Sequence, residues 1–563
     1  AGLTRAPLRP RFAWERVASA ARYEVQLDDG CAAGAPSACD FAAARVRTIV
    51  STSSARADTP SWIFEPGEDL LLATATRGAR VHWRVRACDA EGTCGAWSPE
   101  VRWLDVGRDR HDVDGDGRGD LLVGAPGTDR GAPDAGDVHL FRGTDAGFSA
   151  TEAPLDVPAT AAGAWLGSAI ALGDLDGDGL ADAVISASNA HPTGSGAGSL
   201  IVLRGSATSG LDTARPIMIA APDAAYARYF GESVAIVDDA DGDGFRDVLV
   251  GASRDGAAGR AYLFRGDAGA VLLASPAARY DDPDPGAGGR FGFTVAAAFD
   301  VDGDGRGDLL IGAPFASDAG GAERGRAWLV RASAPASPIA LMGAADAEVF
   351  FGWSLAGVGD LDEDGYGDIA IGAPYEDLEV AADSDEGRVY VFAGGAAGVD
   401  PARVLAHIAR STGYDYVHAG WSLAAGDVDG DGHVDLVVPE PAIDVSSTGP
   451  IDRGLLAVHR GNGRGGFEPV ATVLYPDDTQ ASMEYGRSVS VIDANGDGRA
   501  EVVGGAHRWN STSDDAGRVW WHEDPFGADL RGEISAPTAT GSAYFGWALP
   551  GSVGRYDTQL DTP

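Results

Sequence analysis

Short apolar runs bounded by Gly, Asp and Pro fill the chain from about residue 107 onward. In "FGWSLAGV", Phe351, Trp353 and Leu355 fall on one side, and Gly352, Ser354 and Ala356 on the other. That is the period-two alternation of a strand. It is followed by "DIAIGAP" from Asp368, an unbroken apolar run of the kind that makes a buried strand. A third strand, "GRVYVFAG" from Gly387, and a weaker fourth, "ARVLAHI" from Ala402, complete a set. The set recurs: "FGESVAIV" from Phe230, "DVLVGAS" from Asp247 and "GRAYLFRG" from Gly259, then "FGFTVAAA" from Phe291 and "DLLIGAP" from Asp308. Long helical periodicity is missing, so the fold class is all-β. Four short antiparallel strands per ~60 residues predict a β-propeller blade rather than a solenoid coil.

Between the first and second strand of each set lies a polar string, D-x-D-x-D-G-x-x-D. It starts at Asp112, Asp174, Asp239, Asp300, Asp360 and Asp427, with a variant at Asp493; the intervals are 62, 65, 61, 60, 67 and 66 residues. Carboxylates crowded into one tight loop repel one another unless a cation neutralises them. Calcium suits the pattern, because it accepts six to eight oxygen ligands in flexible geometry and the Gly at position 6 permits the sharp turn. The expected side-chain ligands are Asp112, Asp114, Asp116 and Asp120; Asp174, Asp176, Asp178 and Asp182; Asp239, Asp241, Asp243 and Asp247; and Asp300, Asp302, Asp304 and Asp308. The series continues with Asp360, Asp362, Asp364 and Asp368; Asp427, Asp429, Asp431 and Asp435; and Asp493, Asn495, Asp497 and Glu501. Position 7 offers a backbone carbonyl, from Arg118, Leu180, Phe245, Arg306, Tyr366, His433 and Arg499. Up to seven Ca²⁺ are therefore expected. An EF-hand would need Glu at position 12; Val123, Ile185, Val250, Ile311, Ile371, Val438 and Gly504 stand there. Magnesium prefers a small octahedral shell that keeps waters. The competing reading is seven solvated Asp-Gly turns without metal.

The strand beginning Phe-Gly, the acidic loop and the strand ending Gly-Ala-Pro recur together and in order. The chain resembles the FG-GAP repeats of integrin α-subunit propellers and their bacterial relatives over roughly residues 107–557. The first acidic loop has no Phe-Gly strand ahead of it, and "YFGWALPGSVG" from Tyr544 has no acidic loop behind it. Placing that last strand in the first blade gives an expected seven-bladed propeller over 106–563, closed by the C-terminal strand and without exposed sheet edges. The loops also contain Arg118-Gly119-Asp120 and Arg306-Gly307-Asp308, the tripeptide that integrin receptors bind. Their aspartates occupy position 9 and are expected to be ligands held in the loop, not free for a receptor.

Residues 1–105 lack the repeat. Trp14, Tyr23, Trp83 and the alternation of Val81, Trp83 and Val85 resemble a fibronectin type III domain, a small β-sandwich preceding the propeller. All four cysteines lie here. Three pairings exist; Cys31–Cys39 and Cys88–Cys94, each bracketing a turn-rich loop, need the least reorganisation. Zinc competes, at spacings poor for it. Disulfides imply an oxidising compartment, so a secreted or cell-surface location, extracellular or periplasmic, is expected. Ala1 opens no secretory leader pattern, as in a processed form.

Composition narrows the function. The formal net charge is −41, from 84 acidic residues and 43 basic ones, all of them Arg. A nucleic-acid partner needs a basic face, so none is expected. No run approaches ~18 apolar residues, so no transmembrane segment is expected. The chain shows no HExxH and no GxSxG, and "GSGAGS" from Gly194 has no helix after it to make a phosphate loop. The Asn510-Ser511-Thr512 sequon carries little weight without a eukaryotic context. A non-enzymatic adhesion, recognition or assembly module is the first reading; a carbohydrate-binding or polysaccharide-processing propeller is the alternative. The partner is a protein or glycan at a cell surface or matrix, with self-assembly a further option. The loops opposite the acidic ones carry Tyr375, Tyr414, Tyr416 and Trp509 near Asp377, Arg410 and Arg508, and aromatics beside polar groups suit sugar stacking and protein hot spots alike.

Overall fold

The computed structural model describes residues 111–551 apart from 150–153, 159–160, 190–196, 223–228, 319–320, 344–348, 363, 378–384, 410–416, 444–452, 479, 481, 511–514, 528–530 and 536–541. Ahead of them it describes 12–13, 22–28, 45–49, 61–62, 80–89, 93–97 and 102–105. Six antiparallel four-stranded sheets follow one another, each with strand order equal to chain order. One consists of Thr294–Phe299, Asp308–Ala313, Arg326–Val330 and Ile339–Leu341. Second strands such as Asp308–Ala313, Asp368–Ala373 and Glu501–Ala506 are buried along their whole length. Behind the leading Asp or Glu they are apolar, because neighbouring blades cover both faces. One cluster joins Leu310 and Leu329 of one blade to Ile369, Ile371 and Tyr390 of the next. Another joins Val184 and Leu200 to Phe230, Val248 and Tyr262. The architecture is a β-propeller.

The recurring motifs are the price of close packing between blades. A Cβ on Gly312, the glycine of "GAP", would lie 2.3 Å from the carbonyl oxygen of Gly352, the "FG" glycine of the next blade. Gly372 meets Gly420 in the same way, at 2.2 Å. Gly352 also sits at φ +89°, a conformation that strains any side chain. The Ser or Thr two places after the FG glycine ties the inner strands together. Thr294 Oγ1 donates to Gly352 O at 3.0 Å, Ser354 Oγ to Gly420 O at 2.6 Å, Ser422 Oγ to Gly486 O at 2.9 Å and Ser488 Oγ to Gly546 O at 2.7 Å.

The expectation of seven blades is corrected to six four-stranded ones among the described residues. At the first repeat, Leu121–Ala125 pairs with Asp137–Phe141 in a sheet of two strands. The C-terminal segment does reach it: Gly546 N donates to Gly124 O at 3.1 Å, and Gly124 N donates to Ala548 O at 3.0 Å. Pro550 comes next on that segment and has no N–H to extend the ladder. On the other side, His139 makes a single bridge with Pro154, again a residue without a donor.

In residues 1–105 a four-stranded antiparallel sheet takes the order Arg45–Ile49, Arg22–Asp28, Arg80–Cys88, Arg102–Asp105, and Phe12–Ala13 pairs with Ser61–Trp62. The described residues establish these strands and not the fibronectin-like sandwich. Cys88 and Cys94 form a disulfide, as expected; Cys31 and Cys39 lie outside the described residues, as does Trp14.

Candidate metal loops and the opposite face

Each acidic loop is a hairpin connection in which carboxylates replace backbone carbonyls as acceptors. In the loop at Asp174, Asp174 Oδ1 and Oδ2 accept the N–H groups of Gly177 and Gly179 at 2.7 and 3.0 Å. Asp176 Oδ1 accepts from Asp178 N at 3.0 Å and Asp178 Oδ1 from Leu180 N at 2.8 Å. Asp182 closes the loop, accepting from Leu175 N at 2.9 Å and from Gly205 N, beyond the third strand, at 2.8 Å. The other loops repeat this. Val113 N and Gly143 N donate to Asp120, Ala240 N and Gly266 N to Asp247, and Val301 N and Ala332 N to Asp308. Leu361 N and Gly394 N donate to Asp368, Val428 N and Gly461 N to Asp435, and Ala494 N to Glu501. The N–H groups of Arg118, Phe245, Arg306, Tyr366, His433 and Arg499 donate to position 5, at Asp116, Asp243, Asp304, Asp364, Asp431 and Asp497. Asp112, Asp239, Asp300, Asp360, Asp427 and Asp493 hold the position-1 role of Asp174. The position-9 carboxylate thus accepts at least two backbone N–H groups in six loops, and the seventh departs at Glu501, which accepts one.

The electrostatics are those of a carboxylate cluster that a cation could neutralise. Burial pushes the position-9 carboxyls up, to about 8 for Asp120 and Asp368, about 7 for Asp247, Asp308 and Asp435, and about 9 for Glu501. Asp182 is likewise raised well above the usual range, mainly by burial. Backbone N–H groups oppose the rise and neighbouring carboxylates reinforce it. Oxygens of Asp112, Asp114 and Asp120 lie within 4.8 Å of one another, as do those of Asp174, Asp176 and Asp182, of Asp239, Asp241 and Asp247, and of Asp300, Asp302 and Asp304. Asp302 Oδ1 and Glu501 Oε1 are buried without a hydrogen-bond donor. An all-oxygen donor set with orphaned buried oxygens fits a hard cation.

The sequence reading missed a second set of residues. The residue just after the third strand is Arg in most blades, and it reaches the position-3 carboxylate. Arg142 lies 2.7 Å from Asp114, Arg204 2.7 Å from Asp176 and Arg331 3.6 Å from Asp302, and Arg265 and Arg460 pair with Asp241 and Asp429. In the fifth loop Ala393 holds that place, and Arg403, just before the fourth strand, pairs with Asp362 at 2.6 Å. The dipeptide Arg-Gly in "FRG", "LRG", "FRG" and "HRG" was the available signal. Its Arg reaches position 3 and its Gly N–H reaches position 9.

The opposite face is less open than expected. Tyr375 packs against Phe350, Trp353, His418 and Trp421, with ring centroids 5.2, 6.0, 4.6 and 6.2 Å away. Arg487 covers Trp421 at 3.8 Å. Trp509, expected to be presented to a ligand, is only 7% exposed; it donates Nε1–H to Asp478 at 2.7 Å and lies under Arg518 at 3.5 Å. Asp377 accepts from Asp385 N, and Arg508 pairs with Glu484 at 2.8 Å. Tyr414, Tyr416 and Arg410 lie outside the described residues.

Fold and loops together define a class, the β-propeller with an acidic loop between the first two strands of its blades. The comparisons agree. The FG-GAP repeat matches residues 230–273, 291–330, 351–392, 419–449 and 485–520, and the FG-GAP-like repeat matches 112–185. Integrin alpha-7 of Rattus norvegicus is 36% identical over 160 residues, 26% of this chain and 12% of that protein. Integrin alpha-V of Gallus gallus is 34% identical over 232 residues, 39% of this chain and 20% of that protein. The chain thus spans a fifth or less of these relatives' length. A crystal structure of a putative 6-phosphogluconolactonase from Bacteroides uniformis aligns with a TM-score of 0.43 and 14% identity, covering 74% of this chain and 97% of that one; no function is inferred from it. The matched repeats lie on the propeller, which is similar in sequence to these integrin α-subunits. No helix among the described residues is long and apolar enough to cross a membrane. The comparisons lend nothing to a glycan partner or to self-assembly.

Proposed function

We propose that this protein is a secreted or cell-surface recognition or adhesion module, non-enzymatic, whose loops hold Ca²⁺ and whose partner is a protein. The observation that supports it most is the repeated burial of a carboxyl at position 9 beside further carboxylates, on a propeller that matches integrin α-subunits. Calcium, when bound, supplies the positive charge that lets those carboxyls stay ionised. The chain's own residues hold the loop: the position-9 carboxylate ties the first strand to the third, and the Asx turns at positions 1, 3 and 5 present oxygens inward. We propose further that residues 1–105 form a separate fibronectin-like unit. The disulfide at Cys88–Cys94 supports an oxidising location.

Melting in excess chelator against millimolar calcium tests the metal reading. One site at a free concentration of ~100 times Kd adds ~2.7 kcal/mol, so a large upward shift is expected. Identical melts in both, with no calcium retained after dialysis, would leave seven metal-free turns. The partner face is tested by binding of Tyr414→Ala with Tyr416→Ala, in a protein of unchanged melt, to native cell-surface protein and to isolated glycans. Loss of protein binding supports the reading, and glycan binding lost in its place would establish the carbohydrate alternative.

A further inference from the structure

The arginines behind the third strands invite a question that the loops alone do not. Why should a site built to attract a cation carry its own? Exposure gives the asymmetry. Asp176 is 1% exposed through its side chain, while its partner Arg204 is 39% exposed; for Asp362 and Arg403 the values are 0% and 42%. The carboxylate cannot leave the loop, but the guanidinium has a path into water. Asp176 Oδ2 and Asp429 Oδ2 face their arginines out of hydrogen-bond alignment, so those two pairings are charge neutralisation, whereas Arg142 and Arg403 donate to Asp114 and Asp362 at 2.7 and 2.6 Å.

Resting on the calcium reading above, we propose that these arginines are internal competitors for the position-3 carboxylate. Each neutralises its carboxylate while the loop holds no cation and yields to calcium, so it lowers the affinity of its own loop and keeps the empty loop folded. Two features argue against a chance surface pair. Where the strand-end position is Ala393, Arg403 arrives from a different strand at the same carboxylate. In the seventh loop both partners change together: position 3 is Asn495 and the arginine position is Glu523, joined by a hydrogen bond from Asn495 Nδ2 at 3.1 Å. Arg499, the nearest cation in that loop, pairs instead with Asp524 at 3.6 Å. With no arginine on position 3 and with Glu501 Oε1 orphaned and buried, the seventh loop is the one whose folding depends most on calcium.

The test uses the full chain carrying Arg204→Gln, Arg265→Gln and Arg460→Gln. Calcium is titrated against a chromophoric chelator, and melting is followed in excess chelator and in saturating calcium. The expected result is a lower melt in chelator, an unchanged melt in calcium, and three sites tightened by roughly two- to fivefold each, the range of partly exposed ion pairs. Equal losses in both conditions with unchanged affinity would make the arginines ordinary ion pairs and overturn the proposal, as would weakened binding. If the triple variant does not fold, Asn495→Asp with Glu523→Arg installs the pair in the seventh loop. Against Asn495→Asp with Glu523→Gln, which adds the same carboxylate without the arginine, its melt in chelator should rise and its calcium affinity should fall; a change of the opposite sign overturns the proposal. If calcium shifts the melt of neither the variants nor the parent, the calcium reading itself falls. A parent that responds while the arginine variants do not differ from it sinks the competitor role alone.

Discussion

Asp120 and Asp308 show how little a tripeptide says without its surroundings. Both end an Arg-Gly-Asp, and both are buried at 1% exposure or less with each carboxylate oxygen accepting a backbone N–H. A receptor could reach them only by unfolding the loop. The same burial gives a signed prediction for the metal-free protein. A carboxyl raised to about 7 or 8 in the folded state and ordinary in the unfolded state keeps its proton longer when folded. Stability then falls as pH rises, because ionising the folded protein costs desolvation that the unfolded chain escapes. Buried His418 and His507, both lowered to about 3, act in the opposite direction, but only below their ordinary value of 6.5. From pH ~6.5 to 8 the carboxyls act alone, so the melt in chelator should drop across that window. With calcium bound the carboxylates are already ionised in the fold and the drop should vanish. Differential scanning calorimetry at several pH values, with and without chelator, measures both slopes.

At the scale of the element, the blade motifs follow from contact geometry more than from strand propensity. Gly312→Ala drives a methyl toward a backbone carbonyl 2.3 Å away, in a blade interface that cannot relax without moving its neighbour. Overpacking of this kind costs about 1–3 kcal/mol. Gly321→Ala is the control: φ is +85° but nothing lies within 4 Å, so only backbone strain of about 1–2 kcal/mol remains. Urea denaturation should therefore show Gly312→Ala as the more damaging, and the reverse order would mean that the blades do not meet as described. These strands and the acidic loops were legible in the sequence because every copy repeats the same spacing, so each confirms the others. Arg204 and its equivalents were not, because one cation after an apolar run looks like any charged strand end; only the structure brings it to a carboxylate 28 residues earlier. Trp509 was misread for a related reason. A loop aromatic that packs beneath its own arginine and one that awaits a ligand have the same local sequence.

The propeller is expected to be weakest where the segment around Gly546 meets Leu121–Ala125. Pro154 and Pro550 each remove a donor from the sheet around Leu121–Ala125, so side chains carry more of the closure there than in any of the six four-stranded blades. Phe545 is fully buried, with its ring 6.0 Å from Phe141, and Trp547, 3% exposed, lies 5.0 Å from His507 of the seventh repeat and 6.3 Å from Trp165 of the second. Ser488 and Ser490 donate to Gly546 O and Pro550 O at 2.7 and 2.9 Å, continuing the hydroxyl belt across the seam. Truncating a buried Phe or Trp to Ala costs about 3–5 kcal/mol. The pair together approaches the ~5–15 kcal/mol that holds a typical domain folded. Phe545→Ala with Trp547→Ala should therefore open the ring at this seam before the blades themselves melt. Early proteolytic cuts should fall near residues 120–150 and 540–551, and exposed sheet edges should drive association. Cuts spread evenly over all repeats at the same temperature would mean that the propeller yields as one cooperative unit, with the C-terminal segment no more than a surface strand.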